Sequence, residues 1–156
     1  MGDGVNLKIV DEKYIYFTSD INSLGELDSV NEEKVASFLK DIFVSLSEVY
    51  NIDLFGYYKV DIYVDGKIGA YVEILKIDDF VSYSKKIDTK VSLVVSSFYL
   101  KTSDLSKIFK YKPIYFSDDN YYVSTKDVDN LGELMDFCDI EYKNINLKEN
   151  VLWFIG

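Results

Sequence analysis

Two alternating apolar runs around Asp65-Gly66, in the stretch 57–75, restrict this chain more than any other part of its sequence. Asp-Gly between such runs is a strong hairpin signal, and the parity of the two faces selects the turn. A two-residue loop sets Ile62 opposite Gly69 and Val64 opposite Lys67, mixing apolar and polar positions. A three-residue loop, Val64-Asp65-Gly66 with Gly66 left-handed, sets Ile62 opposite Ile68 and Val60 opposite Ala70. One face then reads Tyr58, Val60, Ile62, Ile68, Ala70, Val72 and Ile74, and the other carries Lys59, Asp61, Tyr63, Lys67, Tyr71 and Glu73. A slip of one residue exposes the whole apolar set, so the bulged three-residue turn is expected. A left-handed Gly66 tolerates Asn and is strained by Val.

Such a face needs a cover, and the sequence just upstream supplies one. Val35, Phe38, Leu39, Ile42, Phe43, Leu46 and Val49 recur at helical spacing, which predicts a core-facing helix over 32–50. Ser29-Val30-Asn31-Glu32 fits a capping box, Glu32 and Glu33 suit the positive N-terminus, and Asn51 suits a left-handed end. Phe38, Ile42 and Leu46 are expected on the Val60/Ile62/Ile68/Ala70/Val72 face. Ahead of the helix, 6–18 reads as one strand or a strand pair broken at Asp11-Glu12-Lys13. Beyond the hairpin, 76–89 is polar and 91–100 reads as a strand. Ser103-Asp104 caps a short helix through Leu105 and Ile108-Phe109. A second hairpin runs from Pro113 to Ser124 with its turn at Ser117-Asp118-Asp119-Asn120. Asp127 or Asp129 then caps a helix carrying Leu131, Leu134, Met135 and Cys138, and 141–145 with 151–155 form a closing strand pair.

The fold class is therefore α+β, as two small antiparallel sheet-plus-helix units, β-α-β-β and then β-α-β-β-α-β-β, that can pack as one domain. The expected division is 1–78, a short polar bridge at 79–89, and 90–156. The string Asp20-Ile-Asn-Ser-Leu-Gly-Glu-Leu returns as Asp127-Val-Asp-Asn-Leu-Gly-Glu-Leu, each copy after a Tyr-rich strand. Coincidence of a common cap outweighs duplication, since the first copy leads into a loop and the second into a helix.

Composition removes most chemistry. All 17 basic residues are Lys, and there is no Arg, His or Gln. Histidine-dependent nucleophiles, zinc–histidine sites and arginine fingers are excluded. A net charge of -10 repels nucleic-acid backbones and anionic membranes. Cys138 is alone, so it forms no internal disulfide, and its place on an apolar stripe reads as a core thiol. Asp127-Val128-Asp129 hints at a calcium loop, but Leu131 and Cys138 stand where further ligands belong. Asp118-Asp119 reads as turn chemistry rather than a metal pair. Alternating carboxylates such as Asp139 and Glu141 suit acid catalysis only if one is buried and neutral. No glycine-rich phosphate loop, secretory leader or membrane span is legible. The expectation is a soluble cytoplasmic protein without cofactor, metal, nucleic acid or membrane partner.

Tyrosine stands out instead, with fourteen copies, several on polar strand faces (Tyr63, Tyr71, Tyr121, Tyr122). An amphipathic ring of low ordering cost is enriched at protein interfaces, although Tyr also fills half-buried sheet positions. Alternation puts Tyr115 and Phe116 on opposite faces, and likewise Tyr121 and Tyr122. The second hairpin, through Tyr115, Phe116, Tyr121 and Tyr122, is therefore the expected partner-binding surface, at least one residue of each pair pointing outward. The run Ile9-Val-Asp-Glu-Lys-Tyr-Ile-Tyr-Phe17, the Asp20-Ile21 loop, the helix at 32–50, the hairpin at 57–75, Phe98-Tyr-Leu-Lys-Thr-Ser-Asp-Leu105, Tyr115-Phe-Ser-Asp-Asp-Asn-Tyr-Tyr-Val123 and the ending from Leu134-Met-Asp-Phe-Cys138 to Ile155 together resemble the MecA family. These are bacterial adaptors that present proteins to the ClpC unfoldase and its protease. Where that family joins its halves by a long acidic linker, this chain has the bridge 79–89. The resemblance implies a non-enzymatic adaptor or regulator linking a client protein to an AAA+ unfoldase. An acidic inhibitor that mimics nucleic acid or blocks a basic protein surface is the alternative reading, and a small enzyme the third.

Overall fold

A computed structural model describes residues 5–78, 87–143 and 151–152. The chain is α+β and divides into two compact units, 1–95 and 96–156. The first holds the strands β1 (Val5–Val10), β2 (Lys13–Thr18), β3 (Gly56–Asp65), β4 (Gly69–Asp78) and β5 (Ile87–Val95), with the helix α1 (Glu32–Glu48). Its sheet has the order β1-β2-β4-β3-β5. The stretch 6–18 is thus a strand pair, joined by a two-residue turn at Asp11-Glu12 with Asp11 at φ 56°.

The β3–β4 hairpin keeps the expected faces but not the expected turn. Val60 pairs with Ile74, Ile62 with Val72 and Val64 with Ala70, so the loop is Gly66-Lys67-Ile68, two residues further along. A two-residue shift preserves parity, which is why all the apolar positions still face one way. Asp65 sets the turn. Its carbonyl accepts from the Ile68 amide at 3.1 Å, and its carboxylate accepts from the Lys67 amide at 2.7 Å. Gly66 is not left-handed; the positive φ, 133°, falls on Gly69. A Cβ on Gly69 would lie 2.4 Å from the Thr18 carbonyl oxygen and 2.8 Å from the Ser19 Cα, so the end of β2 reaches its neighbour only against a glycine.

Helix α1 covers this face. Phe38, Leu39, Ile42 and Leu46 are buried against Tyr58, Val60, Ile62, Val64, Ala70, Val72 and Ile74, with Leu24 and Tyr16 completing the cluster. Burying four such side chains at about 1.5–3 kcal/mol each is what holds a helix of this length on the sheet. The N-cap is Asn31, whose Oδ1 accepts from the Lys34 amide at 2.9 Å, not Ser29 of the expected capping box. At the other end Asn51 is left-handed (φ 59°), and the Ile52 amide closes back on the Leu46 carbonyl at 2.9 Å.

The expected bridge and second-unit strand need correction. The stretch 91–100 is not one strand. Its first part belongs to β5, which runs parallel to β3 with Val60 opposite Val91 and Ile62 opposite Leu93. The first unit therefore extends to Val95, past the bridge expected at 79–89, and its sheet is not wholly antiparallel. An apolar run identifies a strand but not the partner it chooses. Residues 79–86 lie outside the described residues.

The second unit holds β6 (Tyr99–Thr102), β7 (Ile114–Ser117), β8 (Asn120–Ser124), β9 (Asp139–Glu141) and β10 (Val151–Leu152), in the order β10-β7-β8-β6-β9. Its core is Leu100, Ile108, Ile114, Val123, Val128, Leu134 and Cys138. Asp104 caps a 3-10 turn at Leu105–Lys107, as the sequence suggests. The last expected helix shrinks to one turn, α2 (Leu131–Leu134), without a side-chain cap. Met135, expected on its buried stripe, is 38 % exposed, because the helix ends before that stripe forms. The repeated octapeptide is not a structural repeat: Gly25 is left-handed after a 3-10 turn, while Gly132 lies inside α2. Of the closing pair expected at 141–145 and 151–155, residues 144–150 and 153–156 lie outside the described residues.

Candidate interaction surface

The β7–β8 hairpin turns on Asp118 and Asp119, both left-handed (φ 52° and 64°), in a two-residue loop between Ser117 and Asn120. Two successive positive φ values make a turn whose twist matches that of the strands. Asp and Asn adopt them more readily than other side-chain-bearing residues, and the Asn120 amide side chain donates to the Asp118 carbonyl at 3.0 Å. The aspartate pair is thus committed to the turn.

This turn brings the four expected aromatics together in two back-to-back pairs. Phe116 is opposite Tyr121, and Tyr115 is opposite Tyr122. Phe116 and Tyr121 share the face of the second core, their ring centroids 5.1 Å apart; Tyr121 packs on the edge of that core. Phe116, one residue from the turn, is 37 % exposed. Tyr115 and Tyr122 share the other face. There Tyr99, not singled out by the sequence, packs edge-on against Tyr115 at 6.0 Å, and Lys101 pairs with Glu141 at 3.4 Å. Tyr122 is buried, and burial pushes its hydroxyl and that of Tyr99 above the ordinary tyrosine range. Exposure in this hairpin follows distance from the turn rather than face alternation. Phe116, backed by Tyr121, is its accessible aromatic edge.

Two more exposed phenyl rings belong to the same unit: Phe109 at 61 % and Phe137 at 53 %, the latter with the Lys107 ammonium 4.4 Å over its ring. The sequence singled out neither ring: Phe137 lies past the single turn of α2, and a 3-10 turn ahead of Phe109 does not keep the spacing of an α-helix.

In the first unit, Tyr63 and Tyr71 pair directly on the sheet face away from α1, and Phe17 lies against Tyr71 at 4.8 Å. Burial raises both hydroxyl pKa values. The row below holds Glu73, buried, with the Lys13 ammonium at 3.1 Å. A small cleft of about 200 Å³ between the end of β2 and α1 carries Asp20 and Asp41. Its polar groups are occupied locally: Asp20 accepts from the Asn22 amide at 3.1 Å, and Ser23 donates to Asp41 at 3.2 Å.

The chemically reactive candidates do not assemble into a site. Burial, then nearby Asp139, pushes the Cys138 thiol up, away from the reactive thiolate. Asp127 and Asp129 gather no third ligand, and among the described residues no three Cys, Asp or Glu side chains come close enough to hold a metal ion. Among those residues, too, no helix is long and apolar enough to cross a membrane. No family model, curated protein or solved structure matches this chain.

Proposed function

We propose that this chain is a non-enzymatic, acidic protein-interaction module of the cytoplasm, an adaptor or regulator resembling the MecA type, that engages a protein partner through the β7–β8 hairpin. The observation that supports this reading is the Phe116–Tyr121 pair, an aromatic edge held rigid by direct strand register. A ring ordered in advance loses little entropy on contact, and an aromatic at the centre of an interface contributes about 2 kcal/mol or more. The test is affinity capture from native cytosol with the wild-type chain, with Phe116→Ser and with Phe116→Ser/Tyr121→Ser, each checked for an unchanged fold by its thermal transition. Loss of the captured partner from folded variants supports the hairpin as the contact. An unfoldase among the proteins lost supports the adaptor reading, and a nucleic-acid enzyme in its place favours the acidic mimic. An unaltered capture profile overturns the hairpin assignment.

A further inference from the structure

The α1 face of the first sheet is longer than the helix that covers it. Past Asn51 the chain crosses to β3 through 52–55, and among the described residues no helix covers the end of the sheet where the β1–β2 turn meets the start of β3 and the end of β4. A groove of about 610 Å³ lies there, a volume that holds several side chains. Ile9, Tyr14, Leu54 and Tyr58 form its apolar body. Tyr58 is buried, 3 % exposed, and closes the floor of the groove with its hydroxyl donating to the Phe55 carbonyl at 2.9 Å. Ile9 is 62 % exposed and Ile77 51 % exposed at the mouth. Three carboxylates border it: Asp11 and Glu12 on the β1–β2 turn and Asp53 on the loop. Among the described residues its one cationic lining residue is Lys76, whose ammonium sits 4.5 Å over the Phe55 ring.

We propose that this groove docks a basic segment of a partner protein, one that presents an aliphatic or aromatic side chain flanked by lysines or arginines. The apolar body takes the anchor and the carboxylate border takes the flanking cations. An excess of three carboxylates over one ammonium complements such a segment, and the chain's overall negative charge steers it inward. A small polyamine satisfies the carboxylates but leaves both isoleucines in water. Nucleic acid and anionic lipid meet the wrong charge. This surface lies in the first unit and does not depend on the β7–β8 hairpin.

The test uses two fluorescent peptides of equal charge, one alternating Lys with Leu and Phe, the other alternating Lys with Ser. Anisotropy is measured on the full chain near physiological salt. The apolar-basic peptide binds at least roughly tenfold tighter than the lysine–serine peptide, the worth of about one buried aliphatic anchor. Ile9→Ser/Ile77→Ser removes that preference. Both positions are exposed, so the thermal transition stays in place. Glu12→Gln/Asp53→Asn weakens both peptides, and Phe116→Ser changes neither, which separates this site from the hairpin reading. Amide chemical-shift changes on binding fall on 9–14, 53–58 and 76–77. Equal affinity for the two peptides overturns the proposal. So does a preference that survives Ile9→Ser/Ile77→Ser, complete displacement of the apolar-basic peptide by micromolar spermidine, or shift changes centred elsewhere.

Discussion

Gly69→Ala tests the hairpin that organises the first unit. Two independent costs meet at this position. A side chain at φ 133° occupies a region that residues with a Cβ rarely enter, at about 1–3 kcal/mol. The new methyl also lands 2.4 Å from the Thr18 carbonyl oxygen and 2.8 Å from the Ser19 Cα. Both are backbone atoms of a paired strand, so the end of β2 must move away from β4, at a further cost of about 1–3 kcal/mol by analogy with overpacked cores. The sum, roughly 2–6 kcal/mol, is a large part of the 5–15 kcal/mol that holds an ordinary domain together. Converted at about 2–4 °C per kcal/mol for a chain of 156 residues, the thermal midpoint falls by roughly 4–24 °C. The control is Gly66→Ala, whose Cβ meets only the Leu27 Cδ1 at 3.4 Å and whose φ lies outside the left-handed region. It is neutral, or stabilising by about 0.4–1 kcal/mol through the unfolded chain. Urea unfolding of the two variants, with far-ultraviolet circular dichroism as readout, gives the order directly. If Gly66→Ala costs more than Gly69→Ala, the turn is Val64-Asp65-Gly66 with Gly66 left-handed, and the Gly66-Lys67-Ile68 turn is contradicted.

Three further outcomes follow from the packing and the titrating groups. Phe38→Ala, at a residue 3 % exposed on α1, costs about 3–5 kcal/mol by equilibrium unfolding; a loss under 1 kcal/mol contradicts the helix phase. Cys138 reacts slowly with a disulfide reagent at pH 8 in the folded chain and completely after denaturation, because burial raises its thiol pKa; rapid native labelling contradicts that burial. The Asp104 carboxyl, held down by the Ser106 hydroxyl (2.6 Å) and amide (3.0 Å), titrates in the native state below the ordinary aspartate range. Its contribution to stability is present above the unfolded pKa and is lost as pH falls through the lowered folded one. A carboxyl-carbon NMR titration reads this, and Ser106→Ala moves the midpoint back up; a native midpoint at or above the ordinary value contradicts the cap.

What the sequence made legible is local periodicity. The apolar stripe from Phe38 to Leu46 located α1, and the parity of Val60, Ile62, Ala70 and Val72 fixed which face it covers. Parity alone cannot separate two turns that differ by two residues. The choice rested on the Asp65 carboxylate and on the clearance between Gly69 and the end of β2, a contact across 51 positions of the chain (Thr18 to Gly69). The parallel placement of β5 was hidden for a related reason: Val91 to Val95 announce a strand, and nothing within them names β3 as the neighbour. At the candidate surface, the pairing of Phe116 with Tyr121 followed once Asp118-Asp119 was read as a turn. Alternation assigns each ring to a face, but not what lies over that face. Tyr122 is buried where an outward tyrosine was as reasonable, and Tyr99, the first residue of β6, joins Tyr115 only through strand order.

The proposed role of the second hairpin is tested most directly by hydrogen–deuterium exchange on the captured partner complex against the free chain. The account predicts slowed exchange across the hairpin at 114–123, with Phe116→Ser abolishing that protection while the exchange of the first unit stays unchanged. Protection confined to segments outside 114–123, with the hairpin exchanging as fast bound as free, would contradict it.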